Sequence, residues 1–229
     1  EDRALSYFGS YSGAALAMEC HPLRRGDKPM RVGVVGLGIG SLLAYGLPGD
    51  SYVCYEISRP VVRAAENQKW FTFVGKCLAE VTIKVGDGRT LLQGELRRGS
   101  EAPFDVLYLD AFSGDSPPFH LLTREAFALY LERLAPNGII AMNITNWHLN
   151  FQPLCKAVAA EFGLKVDGFF TPNYPQKLQT ACFWVLMSRV EHKYEPHEAV
   201  RRVDWALVPE VPLPSDAQGS ALRYLGRAE

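Results

Sequence analysis

The stretch from Met30 to Glu56, M-R-V-G-V-V-G-L-G-I-G-S-L-L-A-Y-G-L-P-G-D-S-Y-V-C-Y-E, decides the fold. Arg31 to Val35 is a short β-branched run, the composition of a buried strand. Gly36, Gly38 and Gly40 follow at once, and Ser41 to Tyr45 then offers helix-forming apolar residues. Ser51 to Tyr55 reads as a second strand with Glu56 at its end. A glycine turn between strand and helix lets backbone approach a ligand, and the helix start presents free N–H groups. An acid about twenty residues after the first glycine can accept both hydroxyls of a ribose. The ligand expected is an adenine nucleoside derivative.

The loop narrows that expectation. A dinucleotide fingerprint requires a third glycine where this chain has Ser41, which makes a dehydrogenase a poor reading. G-x-G-x-G with a following acid fits an S-adenosylmethionine type of site better. The competing reading is an ordinary tight turn, and the spacing to Glu56 weighs against it.

Outward from this stretch, strands are expected at Val81–Val85, Phe104–Leu109, Ile139–Ile144, Leu164–Phe170 and Ala181–Met187. Helices are expected at Gly13–Cys20, Arg59–Trp70, Arg89–Arg98, Thr123–Leu134 and Gln152–Phe162, the last closed by Gly163. Pro136-Asn137-Gly138 reads as a turn. Alternating strands and helices imply right-handed crossovers and a doubly wound, largely parallel α/β sheet. Its seven strands end in an antiparallel one, because the last two are joined by a non-helical loop. Residues 1–29 form an N-terminal extension, 30–190 the nucleoside-binding domain, and 191–229 a proline-bearing appendage with a short helix near Gln218–Tyr224.

Composition sets the outer bounds. The chain has 229 residues, 48% hydrophobic and 21% charged, with a net charge of -1, so nothing points to nucleic acid or an anionic membrane. Five cysteines without a C-x-x-C pair suit a reducing, cytoplasmic setting with no metal. The longest apolar stretch is broken by glycines and is no membrane span, and no signal-peptide pattern is read. The first residue is Glu1, which fits a processed chain or a piece excised from a longer one.

In such a sheet the ligand lies at the carboxyl ends of the strands. The glycine loop, Glu56, Asp87, Asp110, Asn143 and Asn146 all fall there. Asp87, in Gly86-Asp87-Gly88, either caps the next helix or accepts from the adenine amine. Asp110 either turns the loop or stands at the reacting centre, where a carboxylate attracts a cationic donor or orients an amine. Asp115, in a Gly-Asp-Ser-Pro turn, is as readily a turn residue as a catalytic one. Tyr7, Phe8 and Tyr11 either line a site or pack on the sheet.

Five segments together resemble a family: G-L-G-I-G, Y-E, G-D-G, the run L-D-A-F-S-G-D-S-P-P-F-H-L-L-T-R-E-A-F from Leu109, and T-P-N-Y-P-Q-K-L-Q-T-A-C-F-W-V-L-M-S from Thr171. They are similar to the spermidine synthases, the polyamine aminopropyltransferases, over roughly Tyr7 to Met187. Within that family the chain looks most like bacterial spermidine-synthase-like domains that are often fused to a multispanning membrane region. The resemblance implies a class I S-adenosylmethionine-dependent methyltransferase-like (Rossmann-like) sheet. The co-substrate implied is decarboxylated S-adenosylmethionine, with a small amine as acceptor. Gly36, Gly38, Gly40, Glu56, Asp87 and Gly88 would then hold the nucleoside. Asp110 would be the catalytic carboxylate, with Tyr11, Asp115 and Tyr174 lining the acceptor channel.

The resemblance has gaps, all on the amine side. Ile39 stands where the family loop has an acid, and Ser113 where D-x-x-D has its second acid. The Y-H-E motif reads Tyr11-Ser12-Gly13, and the N-terminal β-domain is largely missing. That domain supplies much of the family's dimer contact, so a homodimer is only weakly implied. Each missing group would have met an ammonium, whose burial without a counter-charge is costly. Three functions therefore stay open: aminopropyl transfer with altered amine recognition, methyl transfer from S-adenosylmethionine, and nucleoside binding without turnover.

Overall fold

Residues 4–99, 101–114 and 116–217, with the backbone of 226–227, are described by a computed structural model. The apolar runs become strands where expected. β1 is Arg31–Val35, β2 Ser51–Glu56, β3 Glu80–Val85, β4 Phe104–Leu109 and β5 Leu134–Asn143. A two-residue β6, Leu149–Asn150, pairs outside the main sheet with β10, Gly226–Arg227. β7 is Lys165–Thr171, β8 Cys182–Ser188 and β9 Arg201–Arg202.

The main sheet has eight strands in the order β3-β2-β1-β4-β5-β8-β7-β9. β1 lies between β2 and β4, parallel to both, and β5 continues parallel beyond β4. Connections leaving β1 and β4 run to opposite sides, so the crevice where the strand order reverses opens between their carboxyl ends. β8 runs antiparallel to β5 and β7, as the sequence implies for its last strand. β9 is an addition at the edge, pairing antiparallel with β7. Its two exposed arginines carry no apolar alternation, so nothing in the sequence announces it.

Helices cover both faces. α1 (Gly13–Glu19), α2 (Pro22–Arg25), α3 (Arg59–Glu66) and α4 (Phe73–Lys76) precede β3 in sequence; α5 (Gly88–Arg98), α6 (Arg124–Glu132) and α7 (Gln152–Phe162) follow it. One core layer joins Leu92, Phe127, Tyr130 and Leu154 from α5, α6 and α7 to the sheet. The other joins Leu16, Met18, Val62 and Ala65 to Val32, Tyr108 and Trp184.

Three expectations need correction. The segment after the glycine loop is a five-residue 3-10 turn, Ser41–Tyr45, not an α-helix; the extended Gly46 and then Pro48 leave no room for a second turn. The helix from Arg59 stops at Glu66, where Asn67 leaves helical geometry. Pro136-Asn137-Gly138 is not a turn before β5 but an irregularity inside it. Phe104 pairs with Leu134 and Val106 already with Ile139, so the intervening residues bulge out of register. The helix expected near Gln218–Tyr224 lies outside the described residues.

Candidate functional site

The glycine loop is shaped by contact, not by composition alone. Gly36 has φ 99°, and a Cβ there would collide with the Asp110 carbonyl oxygen, so β1 and β4 end in contact. Gly38 also has a positive φ, 53°, but a Cβ there would meet nothing within 4 Å. One glycine is thus required by the fold, while the other leaves open space above the backbone, the cradle a close-lying ligand needs. Gly88 packs where a side chain would press to 2.7 Å from Val35 Cγ1, which draws the start of α5 onto the sheet.

Glu56 is buried at the end of β2. Its Oε2 accepts from the Leu37 N–H at 3.1 Å and its Oε1 from the Ser58 N–H at 2.8 Å. The carboxylate is therefore tied to the glycine loop itself, and each oxygen keeps a further lone pair for a ligand hydroxyl.

Asp87 is the N-cap of α5. Its Oδ1 accepts from Thr90 N–H at 2.8 Å and from Thr90 Oγ1 at 2.6 Å, and its Oδ2 lies 2.8 Å from His120 Nε2. Partial burial pushes its carboxyl up, but the hydrogen bonds from Thr90 and His120 together hold it below its usual range. The capping role is thus realised, and an adenine amine would share Oδ2 with His120.

Asp110 follows β4 and accepts from Asn143 Nδ2 at 2.7 Å. The Asn143 amide is fixed from behind: its Oδ1 accepts from Thr145 N–H at 2.9 Å and Thr145 Oγ1 at 2.6 Å, so its nitrogen must face Asp110. Desolvation pushes the Asp110 carboxyl up to about 7, against the opposing pull of the Asn143 hydrogen bond. The carboxyl stands on the wall of a cavity of about 350 Å³ whose other walls include Tyr7, Phe8, Phe112, Asn143, Thr145, Trp147 and His148.

Several candidates sit elsewhere. Tyr11 and Tyr174 do meet, edge to face at 6.1 Å, but Tyr11 stacks on His197 at 4.1 Å and neither ring lines the Asp110 cavity. The cause is local. Ser12 caps α1 through Ala15 N–H, and the Tyr11 carbonyl accepts from Thr171 Oγ1, which holds Tyr11 over the end of β7. Tyr7 and Phe8, one turn earlier, take the place at the cavity. Asp115 lies outside the described residues.

The sequence reading missed His120, Phe112, Thr145, Trp147 and His148. The signal for Thr145, Trp147 and His148 was the polar and aromatic run Asn143 to Asn150 directly after a core strand, and Phe112 and His120 lie in the loop after β4, both places where binding loops of α/β sheets form.

No family model matches the chain. A polyamine aminopropyltransferase of Vibrio vulnificus (strain CMCP6) is 30% identical over 119 residues, which is 51% of this chain and 38% of that protein. The match thus spans well under half the length of that relative. A probable spermidine synthase from Corynebacterium glutamicum ATCC 13032 superposes over 91% of this chain and 82% of its own, with TM-score 0.59 and 17% identity. The fold is the Rossmann-like one shared by methyltransferases and spermidine synthases. Human methyltransferase-like protein 13, solved with SAH, covers 78% of this chain and 79% of its own at TM-score 0.53 and 21% identity. Spermidine synthase from Thermotoga maritima covers 80% of this chain and 66% of its own at 0.52 and 18%.

Proposed function

We propose that the protein is a transferase of the spermidine-synthase type, moving an aminopropyl group from a decarboxylated S-adenosylmethionine-like donor to a small amine. The observation that carries this is Asp110, a carboxyl raised to about 7, oriented by Asn143 on an aromatic cavity and in backbone contact with the glycine loop. The donor supplies an electrophilic carbon and a thioether leaving group. The open backbone at Gly38 and the Glu56 carboxylate fit its nucleoside, with Glu56 accepting the ribose hydroxyls. An attacking amine must shed a proton as its nitrogen bonds to carbon. Asp110, poised near neutrality, orients the amine and takes that proton.

Methyl transfer is the second reading. It is favoured by Ile39, 40% exposed at the loop edge where an acid would otherwise meet the donor's amine. A ligand that binds only the native state raises the melting temperature according to its affinity. Thermal denaturation with methylthioadenosine and with S-adenosylhomocysteine therefore separates the readings. Methylthioadenosine should give the larger rise. A larger rise with S-adenosylhomocysteine would favour methyl transfer, and none with either would remove the nucleoside site.

A further inference from the structure

The cavity beside Asp110 has a composition that specifies more than an amine. Asp110 is the carboxylate on its wall among the described residues. Besides Asp110, the polar side chains on the wall are Asn143, which bonds Asp110 and Thr145, Thr145, whose Oγ1 bonds Asn143 and the Phe183 N–H at 2.9 Å, Asn146, whose Oδ1 accepts from the His148 and Leu149 N–H groups, and His148. They offer no negative charge.

Two rings of the wall, Tyr7 and Phe8, are firmly held. Phe8 packs against the buried Trp184 at 6.0 Å between ring centroids, and Tyr7 against Phe8 at 6.5 Å. Trp184 Nε1 donates to the Tyr7 carbonyl at 3.0 Å, and the Tyr45 hydroxyl donates to the Phe8 carbonyl. Trp147, 74% exposed, also lines the cavity. Nor can a second acid come from the start of α1, because any Cβ at Gly13 would overlap the Trp184 Cβ.

We infer that this cavity takes a monoamine, its single ammonium on Asp110 and its aryl or alkyl body on Tyr7, Phe8 and Trp147, and that it discriminates against α,ω-diamines. A role for that amine as acceptor rests on the transferase reading; the binding preference does not. A diamine's second ammonium would lose water against the rings, where only cation–π attraction offsets the loss, whereas an apolar body gains by the same burial.

Calorimetry on the full chain at neutral pH tests this with 2-phenylethylamine and 1,4-diaminobutane, each with and without saturating methylthioadenosine. The expected result is binding of 2-phenylethylamine at least tenfold tighter than of 1,4-diaminobutane. Trp147→Ala, at an exposed position, should weaken 2-phenylethylamine several-fold and leave 1,4-diaminobutane unchanged. Equal or tighter binding of the diamine overturns the inference, as does absence of binding by both amines. Asp115→Asn is the second variant, because Asp115 is the acid that the family resemblance sets in the acceptor channel. Strong diamine binding that this variant abolishes would place a second carboxylate in the cavity and overturn the monoamine assignment. If methylthioadenosine fails to bind while the preference for 2-phenylethylamine persists, the donor reading falls and this inference stands.

Discussion

Replacing Asp110 by Asn should stabilise the protein at every pH where the unfolded parent's carboxyl is ionised. Its carboxyl is raised from 3.8 to about 7, chiefly by desolvation. At ~1.36 kcal/mol per pKa unit, holding the charge in the folded chain costs about 4 kcal/mol. Below pH ~4 the carboxyl is protonated in both the folded and unfolded chains, and this site costs nothing. Between pH ~4 and ~7 the folded chain keeps a proton that the unfolded chain has released, so stability falls as pH rises. Above pH ~7 the penalty is constant. Asn at this position stays neutral throughout, and its carbonyl can still accept from Asn143. The variant should exceed the parent by about 1–2 kcal/mol at pH 5 and by up to about 4 kcal/mol at pH 8. Urea unfolding followed by tryptophan fluorescence at the two pH values reads this directly, because other titrating groups cancel in the comparison. A variant no more stable than the parent at pH 8, or a difference independent of pH, would refute the picture of a desolvated carboxylate maintained for function.

Other outcomes follow from the same geometry. Asp110→Asn should lower turnover by about 10²–10⁴-fold, the usual contribution of a positioned base, with nucleoside affinity retained; full activity would remove its catalytic role. Glu56→Gln should weaken methylthioadenosine binding by roughly 1.5–3 kcal/mol in calorimetry, since an ionised acceptor is lost and an amide N–H₂ faces the Leu37 or Ser58 N–H. Unchanged affinity would take Glu56 out of the site. Gly13→Ala should destabilise by about 1–3 kcal/mol, because Trp184 occupies the space a methyl needs; a neutral effect in chemical denaturation would show that the ring wall yields.

The parallel sheet was legible because β1, β2 and β4 are short β-branched or aromatic runs ended by chemistry-bearing turns. The glycine loop and Glu56 were legible for the same reason, their spacing being fixed by one strand, one turn and one return strand. What escaped were contacts made across the chain. Nothing local to Asp87 says that His120 will lie on it, and nothing local to Tyr11 says that Thr171 will hold it away from Asp110. The bulge in β5 escaped because Pro-Asn-Gly has the same composition whether it ends a segment or interrupts a strand. The aromatic wall depends on Trp184, more than a hundred and seventy positions from Phe8, and no periodicity connects the two.

The most direct measurement is product analysis by mass spectrometry. The protein is incubated with decarboxylated S-adenosylmethionine and 2-phenylethylamine, beside parallel reactions with S-adenosylmethionine and with Asp110→Asn. The expected result is methylthioadenosine together with an aminopropylated amine, formed by the parent chain and strongly reduced in the variant. A methylated amine with S-adenosylhomocysteine, or no product from either donor with this amine and with 1,4-diaminobutane, would contradict aminopropyl transfer.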